Sequence, residues 1–233
     1  MKLFHQVLDL LLPPRCLACQ TIVTLDKTLC EHCWGKVNFI SAPFCKCCGL
    51  PFEFDVPDGA LCLDCARQHP PFVEARSVFA YDDFSKQLIL TFKHGDRPDM
   101  APTLAHWMVR SAPTMIEQSD IILPVPLHWR RLMTRRFNQA ALLSKEISTL
   151  TQTPWRADLL KRVRNTTPQG HLSRMARQKN LKNAFSCYNT LQDKRVLLID
   201  DVLTTGATLL NCTDVLHKAG ASEVRVLTLA RVL

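Results

Sequence analysis

The chain is poor in glycine, with 7 in 233 residues, and none falls in the G-x-x-x-x-G-K-[ST] spacing of a nucleoside-triphosphate P-loop. That excludes the commonest glycine-rich phosphate cradle. No apolar run approaches the roughly 18 residues needed to cross a bilayer, and there is no low-complexity tract. Cysteine is almost missing beyond residue 65, where only Cys187 and Cys212 occur. The N-terminus, MKLFHQVLDLLLPPRC, lacks the features of a secretory leader. Asp9 interrupts its apolar stretch and no small-residue cleavage site precedes Cys16. Leu3, Phe4, Val7, Leu8 and Leu11 instead fall at helical spacing, which predicts a short amphipathic packing helix and a cytoplasmic protein. An apolar fraction of 47% and a charged fraction of 21% are those of an ordinary globular chain.

What is present is concentrated. Of the 11 cysteines, eight form four C-x-x-C pairs: Cys16/Cys19, Cys30/Cys33, Cys45/Cys48 and Cys62/Cys65. In a reducing compartment such pairs point to metal rather than disulfides. Tetrahedral Zn²⁺ takes two knuckles, so four knuckles predict two structural Cys₄ zinc sites. The loops of 10 and 13 residues inside the first and second halves favour sequential pairing, with a cross-braced arrangement left open. Cys47, inside the third knuckle, is expected to be a non-ligand. His32 is an alternative ligand, and Cys187 and Cys212 are expected to be buried apolar residues.

Charge is divided unevenly. Residues 1–70 carry 6 Lys/Arg against 7 Asp/Glu, while residues 71–233 carry 23 against 14. The cysteine-rich part is therefore not the basic part, and phosphate binding follows Lys and Arg. Two runs contain no acid: residues 121–145, with Arg130, Arg131, Arg135, Arg136 and Lys145, and residues 159–192, with Lys161, Arg162, Arg164, Arg174, Arg177, Lys179 and Lys182. Such runs fit an anion site.

Strand-like and helix-like segments alternate from residue 74 onward. EARSVFAYD, DIILPVP, RVLLID and EVRVLTLA read as strands; FSKQLILTFKHGD, APTLAHWMVRSA, NQAALLSKEISTL and ATLLNCTDVLHKAG read as helices. This predicts an α/β domain with a mostly parallel sheet. Ligands of such sheets bind at the carboxyl ends of strands, and that is where VLLIDDVLTTGATL places Asp200 and Asp201. The following Thr-Thr-Gly turn leads into a helix N-terminus, a cradle for a phosphate monoester. Carboxylates accept hydrogen bonds from sugar hydroxyls, so acids beside a phosphate cradle point to a ribose 5-phosphate. A purely structural role, an acidic strand end capping a helix, is the plain alternative.

VLLIDDVLTTGAT resembles the phosphoribosyl-pyrophosphate (PRPP) motif of type I phosphoribosyltransferases. Nearly the whole chain resembles one family among them, the ComF/GntX (ComFC) proteins. The matches are PPRCLAC, CKCCGLP, FKHGD, LPVPLHWRRLMTRRFNQA, RVRNTTPQGHLSRMARQKNLKNAF and LTLARV. The resemblance implies an N-terminal helix and double zinc ribbon over residues 1–70, and over residues 71–233 a phosphoribosyltransferase-like domain, a mostly parallel sheet flanked by helices. It implies that Asp200 and Asp201 hold the ribose hydroxyls and that Thr204, Thr205, Gly206, Ala207 and Thr208 wrap the 5-phosphate. Arg130, Arg131, Arg135, Arg136, Asn138 and Gln139 stand in the pyrophosphate loop, and residues 164–178 in a loop that closes over pyrophosphate. Arg164, Arg174 and Lys93 are candidate catalytic contacts. Mg²⁺ is expected with PRPP. Family membership further implies a role with single-stranded DNA in natural transformation or DNA utilisation, beside DNA-uptake or recombination proteins. The alternatives are a true transferase acting on a small acceptor, and a scaffold whose PRPP site is vestigial. Because the sequence ends just past its last strand, the zinc module is expected to take the place of a hood. Trp34, Phe39, Phe44, Phe52 and Phe54 would there either stack bases or pack beside the zinc sites.

Overall fold

The computed structural model describes residues 13–94, 97–164 and 183–233. The expected N-terminal helix, Arg174 and nearly all of the 164–178 loop lie outside the described residues. In chain order the elements are α1 (Glu31–Trp34), α2 (Leu63–Arg67), β1 (Glu74–Ala80), α3 (Asp83–His94), α4 (Ala101–Ser111), α5 (Pro113–Glu117), β2 (Ile121–Pro124), α6 (Trp129–Arg135), α7 (Gln139–Thr151), β3 (Leu160–Arg162), β4 (Phe185–Cys187), β5 (Arg195–Leu203), α8 (Ala207–Lys218) and β6 (Glu223–Arg231).

β1, β6, β5 and β2 lie in that order in a four-stranded sheet whose three pairings are all parallel. The unbroken apolar run of β5 follows from burial on both faces. Its alternate residues feed two cores. Val196 and Leu198 join one that contains Leu209, Cys212 and Leu216 of α8. Leu197 and Ile199 join the other, with Leu88 and Phe92 of α3, Leu104 and Met108 of α4, and Leu143 and Ile147 of α7. At the amino end Arg195 closes on Asp120, the carboxylate accepting from the Arg195 backbone N–H at 2.9 Å and from its guanidinium at 2.8 Å. The Arg195 guanidinium holds the Asp120 carboxyl down at about 2.

Three features depart from the sequence reading. β5 runs past the acids to Leu203 instead of ending at Asp200. α6 forms in a stretch to which the sequence reading assigned neither strand nor helix. β3 and β4 make a small antiparallel hairpin whose three-residue strands are too short to show a period.

The cysteine-rich segment is not a separate bead. Ile40 N–H donates to Val78 O and Ala80 N–H to Asn38 O, so residues 38–40 run antiparallel along the free edge of β1. Leu17 and Val37 belong to the α3/α4/α7 core, whereas Cys45, Cys47, Cys62 and Cys65 belong to the α8 core. Trp34, Phe39 and Trp107 pack together with ring centroids 5.1–5.8 Å apart, and Arg76 lies 4.5 Å over the Phe44 ring. These aromatics therefore build the joint between module and sheet. The tightest approach is at Gly49, which has φ +70°; a Cβ there would stand 2.6 Å from the Ala75 carbonyl oxygen. Gly49→Ala is thus expected to destabilise the protein by about 2–4 kcal/mol in chemical denaturation. Gly59→Ala, with φ +83° but only Lys46 Cδ at 3.8 Å, should cost about 1 kcal/mol.

Candidate functional site

The eight paired cysteines gather into two groups, Cys16/Cys19/Cys30/Cys33 and Cys45/Cys48/Cys62/Cys65, each with its four sulfurs within 4.8 Å of one another. Pairing is sequential. A tetrahedron with Zn–S of about 2.3 Å has edges of about 3.8 Å; Cys19 and Cys30 sulfurs lie 3.6 Å apart, and Cys48 and Cys62 sulfurs 3.7 Å. α1 and α2 start directly after Cys30 and Cys62, so one helical turn brings Cys33 and Cys65 beside them. The Cys30 and Cys62 backbone N–H groups each donate to a facing sulfur, of Cys16 and Cys45, at 3.3 Å. Both donor sets fit Zn²⁺. His32 is exposed and outside the groups. Cys47 is buried, and burial pushes its thiol up to about 11. Cys212 is buried on α8, while Cys187 is only half-buried on β4.

β5 positions the two acids. Ile199 is its last residue paired with β2, and Val125 N–H closes that ladder by donating to Ile199 O at 2.8 Å. Beyond it β5 has no β2 partner among the described residues. The pleat turns adjacent side chains to opposite faces, and their neighbours agree. Asp201 Oδ2 meets Lys93 Nζ, from α3, at 2.9 Å. Asp200 lies in register with Thr228, whose hydroxyl is 2.6 Å from that of Ser77. Asp200 is half-buried. That burial, then the Asp201 charge, push its carboxyl up to about 7 against the pull of the Asp201 N–H, Lys93 and Arg162. Lys93 was a weak candidate from sequence; the structure brings it to the acids. Arg162 was unforeseen as a neighbour of Asp200, because only the fold of the β3–β4 hairpin brings it near.

Gly206 makes the turn into α8 with φ 74° and ψ −4°, the left-handed region that suits glycine. Thr204 is exposed, Thr205 and Thr208 are half-buried, and Ala207 is buried as the first helical residue. The Thr205 hydroxyl is buried with no hydrogen-bond partner. An orphan hydroxyl at the head of a 12-residue helix, where the first N–H groups lack intrahelical acceptors, suits an anion.

The basic loop after β2 divides into two kinds of residue. Asn138 Nδ2 donates to Val125 O at 3.0 Å while its Oδ1 caps α7 through Ala140 N–H. Gln139, 1% exposed, donates from Nε2 to Lys93 O at 3.2 Å. Both are engaged with backbone and position the loop and Lys93. Arg130 and Arg136 are exposed and Arg135 half-buried, with Arg131 in the same helix. Arg136 has φ 65°. Arg164 follows β3 at the start of the second acid-free run.

The raised Asp200 carboxyl has a stability consequence. An acid whose folded pKa of about 7 exceeds its unfolded value near 4 takes up a proton on folding between them. Its contribution to stability therefore falls as pH rises from about 4 to about 7 and stays low above. Asp200→Asn is expected to raise the melting temperature at pH 8, with a much smaller gain at pH 5, in thermal denaturation at matched ionic strength.

Comparison with known proteins gives two family matches. Residues 7–72 match the family model for a double zinc ribbon domain, and residues 142–233 that for a phosphoribosyl transferase domain. The chain is 34% identical to Competence protein F of Haemophilus influenzae, over 93% of this chain and 96% of that protein. It is 32% identical to DNA utilization protein YhgH of Salmonella typhimurium, over 96% of this chain and all of that one. Among solved structures, the glutamine PRPP amidotransferase of B. subtilis is 17% identical with a TM-score of 0.42, over 60% of this chain and 30% of that one, a likeness too loose to bear on function. With cysteine knuckles, parallel sheet and near full-length relatives in agreement, the chain belongs to the ComF/GntX (ComFC) family.

Proposed function

We propose that the protein binds PRPP with Mg²⁺ and serves in the handling or uptake of single-stranded DNA, the zinc ribbons being its two structural Zn²⁺ sites. In this reading residues 1–70 are the ribbon module and residues 71–233 the PRPP-binding domain. One observation carries it: past its last pairing with β2, β5 carries Asp200 and Asp201 and runs directly into the turn that holds the partnerless Thr205 hydroxyl and the N-terminus of α8. The acids take the ribose hydroxyls, one from each face of β5, and residues Thr204 to Thr208 take the 5-phosphate. Arg130, Arg131, Arg135 and Arg136 supply pyrophosphate contacts, since guanidinium forks match phosphoryl oxygens. The competence and DNA-utilization names of the relatives support the DNA role. Among the described residues no helix is long and apolar enough to cross a membrane.

A second reading, an active transferase, is favoured by the Lys93–Asp201 contact beside the proposed ribose site. Turnover would break the bond between the anomeric carbon and pyrophosphate and form one to the acceptor. Negative charge growing on the leaving group calls for Arg and Lys clamps, among them Arg164, Arg174 or Lys93, rather than a strong nucleophile. Mg²⁺ would share that charge when bound with PRPP.

Calorimetric titration of the zinc-loaded protein with PRPP and Mg²⁺ tests both readings. Wild type should bind. Asp200→Asn/Asp201→Asn should bind about 100-fold more weakly or not at all, since two charge-assisted hydrogen bonds are removed. No heat from wild type would refute the PRPP site. Pyrophosphate release that depends on an added base or amine would select the transferase; PRPP binding without release across such a screen would select the accessory role.

A further inference from the structure

α6 carries an apolar face that the proposed ribose-phosphate site does not use. Trp129, Leu132 and Met133 fall at i, i+3 and i+4 of this seven-residue helix. They are 57%, 42% and 76% exposed. A helix on a folded domain ordinarily turns such a stripe inward; this one faces water. Arg130 and Arg136 stand exposed beside it, in a stretch, residues 121–145, that holds no carboxylate. The indole is braced. The ring of buried His128 packs 5.6 Å from it, His128 Nδ1 accepts from Arg130 N–H at 3.3 Å, and the Arg130 guanidinium lies 5.3 Å from the ring centroid.

A pyrophosphate group needs the arginines but has no use for an exposed indole and thioether. A braced flat ring with guanidiniums at its edge matches a polymer that alternates flat bases with phosphates. Every base presents a stackable face once it is unpaired, whereas a duplex hides those faces. A lipid surface is the poorer match, because seven residues of helix rise only about 10 Å and bury little apolar area. We propose that α6 is the contact for single-stranded nucleic acid, Trp129 stacking a base and Leu132 and Met133 widening the platform while Arg130 and Arg136 hold neighbouring phosphates. This rests on the DNA-handling reading above and names the surface that makes the contact. α6 begins five residues beyond the end of β2, so a bound strand passes near the carboxyl end of β2. Trp34 provides the internal comparison. It is 50% exposed but locked against Phe39 and Trp107, on the module that carries no net positive charge.

The test is fluorescence anisotropy of a labelled oligothymidylate titrated with the zinc-loaded full chain over a range of salt concentrations. Trp129→Ala should bind about tenfold more weakly, because stacking on one aromatic is lost. Its slope of log affinity against log salt should stay that of wild type, because no phosphate contact is removed. Met133→Ser should lose less in the same direction, and Arg136→Gln should flatten the slope by about 0.7. PRPP calorimetry of Trp129→Ala and Met133→Ser should match wild type. Wild-type affinity in Trp129→Ala, or a loss confined to Trp34→Ala, would overturn the assignment and leave the DNA reading intact. So would binding to phosphatidylglycerol vesicles that Trp129→Ala abolishes while oligonucleotide binding persists. No salt-dependent oligonucleotide binding by wild type would overturn the assignment and the DNA half of the proposed function together, leaving the PRPP half to its own titration.

Discussion

Two adjacent carboxylates near the end of a buried strand must leave on opposite faces of the sheet, and much of the site is arranged around that constraint. On one face α3 brings Lys93 to Asp201, a part-buried ion pair whose lysine carbonyl is tied down by buried Gln139. On the other face the neighbours of Asp200 are the Asp201 N–H, the hydroxyl row of Thr228 and Ser77, and the charge of Arg162. The two acids thus have different surroundings although they are neighbours in sequence. Burial costs the ionised form of Asp200, and a ligand that donates hydrogen bonds to it offsets that cost.

The zinc module meets the sheet at a second constraint. A parallel sheet with an uncovered edge invites further pairing, and residues 38–40 cover the β1 edge. The joint is made at backbone level. Cys47 O accepts from Ala75 N–H at 2.6 Å, Lys46 O accepts from Arg76 at 3.0 Å, and Cys48 O accepts from the guanidinium of Arg231. Arg231 is 8% exposed and ends the strand that pairs with β1 and β5. A Cys₄ zinc centre carries a formal charge of −2, and with zinc bound it would offer this buried cation a counter-charge close by. The knuckles are therefore part of the frame that holds the carboxyl end of the sheet, where Leu203 leads into the Thr-Thr-Gly turn.

The basic loop shows how one sequence run serves several purposes. Its net charge suggested a uniform anion grip, but the fold sorts it by side chain. Asn138 and Gln139 face inward onto Val125 and Lys93, and Arg130 and Arg136 are exposed. Trp129, Leu132 and Met133 face water.

The knuckles were legible from sequence because a C-x-x-C turn aims two thiolates at one ion by local geometry. So were the main strands and helices, whose periods extend over enough residues to count, and the Thr-Thr-Gly turn, since Gly206 needs a left-handed backbone that its own residue type announces. The hairpin was hidden by its length. Lys93 stood in the sequence as an isolated cation, more than a hundred positions from Asp201, and Arg162 as one basic residue among seven. Sequence alone determined which chemistries are present: two thiolate sets, a diacid, a Thr-Thr-Gly turn and two basic runs. Only the tertiary structure decided which of these groups meet, which face of β5 each acid takes, and which arginines and aromatics reach solvent. Those outcomes depend on contacts between distant segments, where register and packing rather than local preference choose the neighbour.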